Sequence, residues 1–151
     1  MSVFDAKVLE ETVIDGANAT TFDPVPINAY EAWIRDVEVR SVTTKNGEQA
    51  MLTVTWGIPD DKLQELLNRE VVTSRQDIWL DLNSDGSIAV GPNQNVRLGR
   101  LRAALKMNDT KGPFSFGMLR DAGPAIITVG HRTDEKTGDT FDQVNRVDAP
   151  S

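Results

Sequence analysis

The chain has 151 residues, of which 39% are hydrophobic and 26% are charged, and these values are typical of a globular domain. It contains no cysteine, which excludes disulfides and thiol catalysis. No run approaches the roughly 18 apolar residues of a membrane-spanning helix, and the first residues lack the basic and apolar segments of a secretory signal. We therefore expect a cytoplasmic protein that makes no contact with a membrane.

The net charge of −7 is concentrated at the two ends of the chain. Residues 1–25 hold one lysine and five acidic residues, and residues 133–151 hold two cations and five acidic residues. Residues 97–120 hold six cations, Lys111 among them, against Asp109 alone. Because salt screens charges beyond about 8–10 Å, the global excess does not exclude a local anion-binding surface. It argues against a strongly basic protein that coats duplex DNA.

The first 25 residues predict an acidic arm that is loosely held and contains at most one short strand. A long first strand is predicted over residues 27–43. Its alternation slips after Ile34, so a bulge near Arg35-Asp36 is needed to keep one face in the core. With that bulge, Trp33 and Arg35 point outward. The apolar residues expected on the core side are Tyr30, Ala32, Ile34, Val37 and Val39.

A hairpin turn and a second strand follow. Lys45-Asn46-Gly47 is a strong turn signal, and residues 49–56 alternate with Trp56 on the core side. Pro59-Asp60 then begins a short helix whose apolar stripe is formed by Leu63, Leu66 and Leu67.

The third strand is predicted over residues 72–82, with Ile78, Leu80 and Leu82 inward and Trp79 on the polar face. Residues 83–86 form a turn into a short strand at residues 87–90. A basic amphipathic helix is predicted over residues 95–107, because Leu98, Leu101 and Leu105 share one side. The fourth and fifth strands, over residues 125–132 and 141–147, flank a polar turn.

This order of elements predicts an all-β fold with short helices. Three strands, a helix and two strands are the order of a five-stranded Greek-key OB-fold barrel, with its helix between strands 3 and 4. The short helix at Leu63 is an insertion on that plan. We expect an acidic arm over residues 1–25, an OB-fold domain over residues 26–148 and a short tail over residues 149–151.

Four short segments resemble a family of phage proteins. They are residues 95–102 (NVRLGRLR), 114–116 (FSF), 129–132 (VGHR) and 137–144 (TGDTFDQV). They look like segments of OB-fold single-stranded DNA-binding proteins of tailed phages, and the resemblance covers about residues 24–148. It implies protection of single-stranded DNA in phage replication or recombination, in the cytoplasm of the host cell. Many bacterial single-stranded DNA-binding proteins end in an acidic tail with an apolar tip, and the residues 148–151 (DAPS) depart from that pattern, which argues against a partner-recruiting tail.

Sequence-independent binding of a single strand requires aromatic rings that stack on bases and cations that contact the backbone. Trp33 and Trp79 are the main aromatic candidates, because strand alternation turns both outward, and we expect them close enough to take successive bases. Packing beneath a loop is the alternative for each indole. The other candidates lie on outward faces or in the loops that flank an OB-fold binding face: Arg35, Lys45, Arg75, Arg132, Lys136 and Phe141.

Solvation without a partner is the alternative for each of these cations. The helix arginines Arg97, Arg100 and Arg102 are assigned to a solvated face, because the helix of this fold caps the barrel end away from the ligand. Residues 81–86 match the opening of a calcium loop, but Pro92 stands where a bidentate glutamate is required, so a polar turn is preferred. His131 is the single histidine and is interpreted as a structural residue or a minor DNA contact.

No nucleophile–base pair or metal cluster can be assembled from these residues, so we expect neither an enzyme nor a bound cofactor. Single-stranded DNA is the expected partner, with replication or recombination proteins as further candidates and a homodimer left open. A second hypothesis is a β-barrel virion or assembly protein that binds protein partners through exposed aromatic residues. We also predict that the acidic arms lie over the binding face and compete with DNA.

Overall fold

The computed structural model describes residues 3–108 and 113–150. Asp109 and Lys111 of the basic segment, Gly112 of the following loop and Ser151 of the tail lie outside the described residues. The elements are α1 (Ala6–Glu11), β1 (Asn28–Thr44), β2 (Gly47–Gly57), α2 (Asp61–Leu67), β3 (Thr73–Trp79), α3 (Val96–Ala104), a 3₁₀ turn (Phe116–Leu119), β4 (Ala125–Thr133) and β5 (Thr140–Asp148).

The five strands form one antiparallel sheet in the order β3-β2-β1-β4-β5. The long β1 serves both halves of this sheet, since residues 28–32 pair with β4 and residues 33–44 pair with β2. The fold is therefore mostly β with a few short helices, as the sequence predicted.

A bulge in β1 allows one strand to join the two halves. The pairing of β1 with β2 shifts between Ile34 and Asp36, which confirms the predicted bulge. At this point the backbone N–H of Ile34 donates to the carbonyl of Ala122 (2.9 Å), and the N–H of Asp121 donates to the carbonyl of Ile34 (2.9 Å). The guanidinium of Arg120 donates to Asp36 (3.1 Å) and to the carbonyl of Val37 (2.9 Å). The segment before β4 therefore supplies partners that the bulged strand has lost.

The core lies between the inner face of the sheet and α3. Its largest fully buried side chain is Trp56, as predicted, and the indole N–H donates to the buried Gln76 (3.1 Å). Leu98 and Leu101 of α3 belong to the same buried core. Val39, predicted on the core side, is instead 49% exposed. It lies where the β1–β2 hairpin begins to extend past the core, since residues 43–48 are all exposed or half-buried.

Several predicted boundaries differ from the structure. The arm contains the helix α1 and not a strand, with its N-terminus capped by Asp5. The third strand ends at Trp79, three residues early, because the side chain of Asn95 bonds to the backbone N–H (2.8 Å) and carbonyl (2.9 Å) of Asp81. No strand forms at residues 87–90 beyond a single bridge between Leu82 and Ile88.

Two predicted apolar positions are on the surface. Leu66 of α2 and Leu82 beyond β3 are both exposed, although Leu63 and Leu80 are buried as expected. Because α2 has only two turns, only a narrow face of this helix packs against the core, and Leu66 lies outside that face. Leu82 is exposed because the strand has already ended. Within the described part of the chain, no helix is long and apolar enough to cross a membrane.

The two edge strands of the sheet, β3 and β5, lie beside each other. The hydroxyl of Ser74 on β3 donates to one carboxylate oxygen of Asp142 on β5 (2.6 Å). The other oxygen accepts the backbone N–H of Val25 (2.9 Å), at the end of the arm. The carbonyl of Val25 in turn accepts from Nε2 of His131 on β4 (2.6 Å). Asp142 and His131 thereby fix the point where the arm enters the sheet, which gives His131 a structural role.

Candidate nucleic-acid interface

The outer face of the β1–β2–β3 half carries both candidate tryptophans. The pairing places Trp33, Gly57 and Thr73 in one row across the strands, and Met51 and Trp79 in another. Trp33 is 36% exposed and Trp79 is 45% exposed. Both indoles therefore reach the surface on one face, as the alternation of the strands predicted.

The two rings do not lie side by side. Trp79 is six residues along β3 from Thr73, the residue that shares a row with Trp33. At about 3.3 Å per residue this separates the rings by roughly 20 Å along the strands. The expectation that they stack on successive bases is therefore wrong. They lie near opposite ends of the face.

Trp33 and Arg35 line a separate hollow of about 240 Å³ near α2, which also includes Glu70. Both side chains pack on glycines. A Cβ at Gly123 would lie 2.7 Å from the Trp33 ring, and one at Gly57 would lie 2.8 Å from the stem of Arg35. Trp33 therefore packs beneath a loop, which was the alternative to base stacking. Only part of its ring remains open to a ligand.

A larger cleft, of about 550 Å³, opens beside the β4–β5 hairpin. We call it the hairpin cleft. It is bounded by the arm, by the segment that leads into β3 and by the hairpin itself. Its cations and rings are Arg69, Arg75, Arg132, Phe22 and Phe141.

The hairpin cleft brings together three predicted residues from three different strands: Arg75 of β3, Arg132 of β4 and Phe141 of β5. Arg132 is paired with Phe141 across the hairpin, and its guanidinium lies 5.5 Å from the centre of that ring. Phe141 is 45% exposed. A cation beside an open aromatic face is the combination that a phosphate and a base require.

The electrostatics of the outer face differ between the cations. Asp77 accepts from Arg75 (3.1 Å) and from the hydroxyl of Thr53 (2.9 Å), with Arg40 at 3.8 Å. Arg75 therefore extends from the face with its charge partly compensated. Arg132 forms no ion pair within residues 3–108 and 113–150.

Lys45 and Lys136 lie in the two exposed hairpin loops. Neither lysine lines the hairpin cleft. The backbone N–H of Lys136 donates to Asp134 (2.8 Å), which forms the turn. The structure thus joins three of the eight predicted residues in one cleft, places two in the Trp33 hollow, and leaves Trp79 and the two lysines at other positions on the surface.

The arm forms one wall of the hairpin cleft. The guanidinium of Arg69 donates to the carbonyl of Asp23 (2.7 Å) and lies 5.1 Å from the centre of the Phe22 ring. Neither Phe22 nor Arg69 was among the predicted site residues. Phe22 is an isolated ring in an acidic, irregular segment, and no spacing in the sequence relates it to β5.

A second depression, of about 330 Å³, continues from the hairpin cleft along the line where β3 faces β5. We call it the seam groove. It shares Arg75, Arg132 and Asp142 with the hairpin cleft. It also includes Arg97 of α3, which the sequence analysis had assigned to a solvated face away from the ligand. The basic pattern of the helix was visible in the sequence, but the direction in which the helix crosses the seam was not.

The polar turn at residues 83–86 is held by local hydrogen bonds. Asp85 accepts hydrogen bonds from both the hydroxyl (2.5 Å) and the backbone N–H (2.9 Å) of Ser87, and these bonds lower the pKa of the Asp85 carboxyl. In the part of the chain that the structure describes, no group of three or more acidic or histidine side chains is placed to hold a metal ion.

The hairpin cleft and the seam groove adjoin each other, and the described residues that line them include four arginines, four aspartates and two phenylalanines. A scan against protein-family models found no match, and searches among curated proteins and among solved structures found none either.

Proposed function

We propose that this protein binds single-stranded DNA without sequence preference and protects it during phage replication or recombination. Bases stack on exposed rings, and arginine and lysine side chains contact the backbone. The proposed framework is an OB-fold barrel. It is supported by the strand order, by the position of α3 between β3 and β4, and by the Ser74–Asp142 bond between the edge strands.

The observation that carries this proposal is the hairpin cleft. Arg75, Arg132 and Phe141 are separated by as many as 66 positions in the sequence, yet they line one depression. The cleft lies beside the β4–β5 loop, one of the two loops that flank the ligand face of OB folds. Two cations and an open ring at that place fit a phosphodiester and the base attached to it.

The pairing of the β-strands also indicates a path for the bound DNA strand. From the hairpin cleft, Arg75 leads along the outer face of β3 to Trp79, four residues further on. Beyond Trp79 the β1–β2 hairpin extends toward Lys45. A single strand laid along β3 would meet Phe141 at one end of this path and Trp79 at the other.

Titration with a thymidine oligonucleotide tests the proposal. Binding should quench the fluorescence of the exposed Trp79, and the affinity should fall as salt is added, because phosphate contacts release counterions. Replacing Trp79 by alanine should weaken binding by about 1–3 kcal/mol, the usual contribution of one base stack.

Trp33→Phe is the matched control, because it removes an indole from the hollow near α2 and leaves the proposed path intact. Its affinity should remain near that of the unmodified protein. Duplex DNA and RNA of equal length complete the comparison. Absence of both quenching and a mobility shift at micromolar protein in low salt would contradict the proposal.

A protein-binding role in virion assembly is the second candidate. The observation in its favour is the arm, whose large apolar side chains are exposed on and around α1. They are Val3, Phe4, Val8, Leu9, Val13 and Ile14. Apolar groups exposed together mark surfaces that contact other proteins. Removal of the arm would abolish such an association and leave DNA binding in place, which separates the two candidates.

A further inference from the structure

We propose that Arg97 of α3 forms a second phosphate subsite with Arg75 and Arg132, so that a strand that runs from the hairpin cleft along β3 is also contacted by α3 across the seam groove. This inference rests on the proposed single-stranded DNA binding and extends its footprint. It assigns a ligand contact to a helix that the sequence analysis had placed away from the ligand.

Arginines from three separate elements, namely β3, β4 and α3, line the seam groove. Within residues 3–108 and 113–150, Arg97 and Arg132 form no ion pair. Asp77 and Asp142 also line the groove, so its three arginines leave a formal net charge of 3 − 2 = +1, which attracts an anion.

The carboxylates of the seam groove already have hydrogen-bond partners. Asp77 is bound by Arg75 and Thr53. Asp142 accepts from the hydroxyl of Ser74 and from the N–H of Val25. These bonds orient the oxygens of Asp77 and Asp142 toward donors of the fold, and Arg97 and Arg132 are left without an ion pair among the described residues.

The floor of the seam groove presents amide groups. Gln143 and Asn145 lie on β5, and Nε2 of Gln143 donates to Oδ1 of Asn145 (2.9 Å). A Cβ at Gly130 on β4 would collide with the amide of Asn145, so the glycine leaves the space this side chain occupies. Amides that donate and accept can bond to the sugars and phosphates of a strand of any sequence, which agrees with binding without sequence preference.

The continuity with the hairpin cleft determines the class of ligand. A free phosphate would need one pocket, whereas the shared walls formed by Arg75 and Arg132 make a channel longer than one phosphate group. A polyanion with regularly spaced charges, the backbone of a single strand, fits this shape. Arg100 of the same helix carries the same charge but does not line the seam groove; it lies with Arg97 on a small neighbouring pocket of about 60 Å³.

The experiment compares Arg97→Ala with Arg100→Ala in the full-length protein. Thymidine oligonucleotides of increasing length are titrated over a series of salt concentrations. Arg97→Ala should weaken the binding of long oligonucleotides by roughly five- to tenfold and reduce the slope of log affinity against log salt by about 0.7, the value for one phosphate contact on a single strand. Arg100→Ala should leave the slope unchanged, and Arg97→Lys should retain most of it.

Oligonucleotide length locates the contact. The Arg97→Ala effect should be absent for the shortest oligonucleotide that still binds and should appear as the length increases. Equal losses from Arg97→Ala and Arg100→Ala, or no loss from either at any length, would overturn the seam subsite while the unmodified protein still binds DNA. If the unmodified protein binds no oligonucleotide, the proposed function itself fails. Pyrophosphate that competes as well as an oligonucleotide of equal charge would indicate a small-anion site and overturn the extended path.

Discussion

Single residues in this protein show which properties can be read from a strand pattern. The outward position of Trp79 and the buried position of Trp56 both followed from alternation, because a side chain of a strand faces one of two sides. The separation of Trp33 from Trp79 depends on how three strands are aligned with one another. That alignment is fixed by tertiary pairing, and no local spacing in the sequence encodes it.

The ion pair between Asp36 and Arg120 leads to a prediction at this scale. The side-chain hydrogen bond from Arg120, with a further bond from the backbone of Val37, holds the pKa of the Asp36 carboxyl below its ordinary value of 3.8. Because the pKa is lower in the folded chain, this bond stabilises the fold at neutral pH, and the contribution is lost as the pH falls below the ordinary value toward the folded one.

Arg120→Gln should therefore raise the pKa of Asp36, as measured by a pH titration of its carboxyl carbon by NMR. Arg146→Gln is the matched control, since Arg146 pairs with Asp148 on β5 and not with Asp36. A pKa of Asp36 that does not change in Arg120→Gln would show that the bond contributes nothing in solution.

At the scale of the elements, the strands were predicted more accurately than the segments between them. The phase slip after Ile34 located the bulge, because a buried face cannot change sides without one extra residue. The end of β3 was not predictable, since it depends on Asn95, fourteen positions beyond Asp81. The helix in the arm was not predicted either, since a six-residue helix capped by Asp5 has no long periodic pattern.

The position of the arm gives the prediction at this scale. Residues 1–23 carry one lysine against five acidic residues, and the last of them bind Arg69 at the hairpin cleft. A chain that begins at Pro24 keeps the bonds of Val25 to Asp142 and His131 and frees the guanidinium of Arg69. Its affinity for single-stranded DNA at low salt should rise several-fold, and the gain should shrink as salt screens the removed charges.

The measurement is the same oligonucleotide titration, performed with both chains over a range of salt concentrations. Asp23→Asn in the full-length protein is the companion variant, because it removes one charge and leaves Phe22 in place. An affinity that stays the same after the deletion would remove the idea that the arm competes with DNA.

At the scale of the whole molecule, the long strand β1 is shared by the two half-sheets, and a hydrogen bond between Ser74 and Asp142 links their outer edges. The general β architecture followed from the order of elements in the sequence. The meeting of β3 with β5 required the structure, because Ser74 and Asp142 are 68 positions apart. The same meeting forms the seam groove, which explains why the position of Arg97 was missed.

Asp142→Ala tests the contribution of the contact between β3 and β5 to stability. It leaves the buried hydroxyl of Ser74 and the N–H of Val25 without their acceptor. We expect the free energy of unfolding to fall by about 1–3 kcal/mol, the usual cost of unsatisfied polar groups. Chemical denaturation measures the change. Asp139→Ala, which removes a carboxylate without a side-chain hydrogen bond among the described residues, should cost much less, and equal losses would contradict a specific role for Asp142.

The contact between β3 and β5 has a consequence for the behaviour of the protein at high concentration. The edge strands of an open sheet expose unpaired backbone N–H and C=O groups. These groups can pair with a strand of a second chain, which is a common start of aggregation. Here Ser74 and Asp142 hold those two strands against each other, and charged side chains such as Arg75 and Asp77 stand on the outer one. The contact between Ser74 and Asp142 therefore opposes edge-to-edge polymerisation, and it also forms part of the surface that we assign to the ligand.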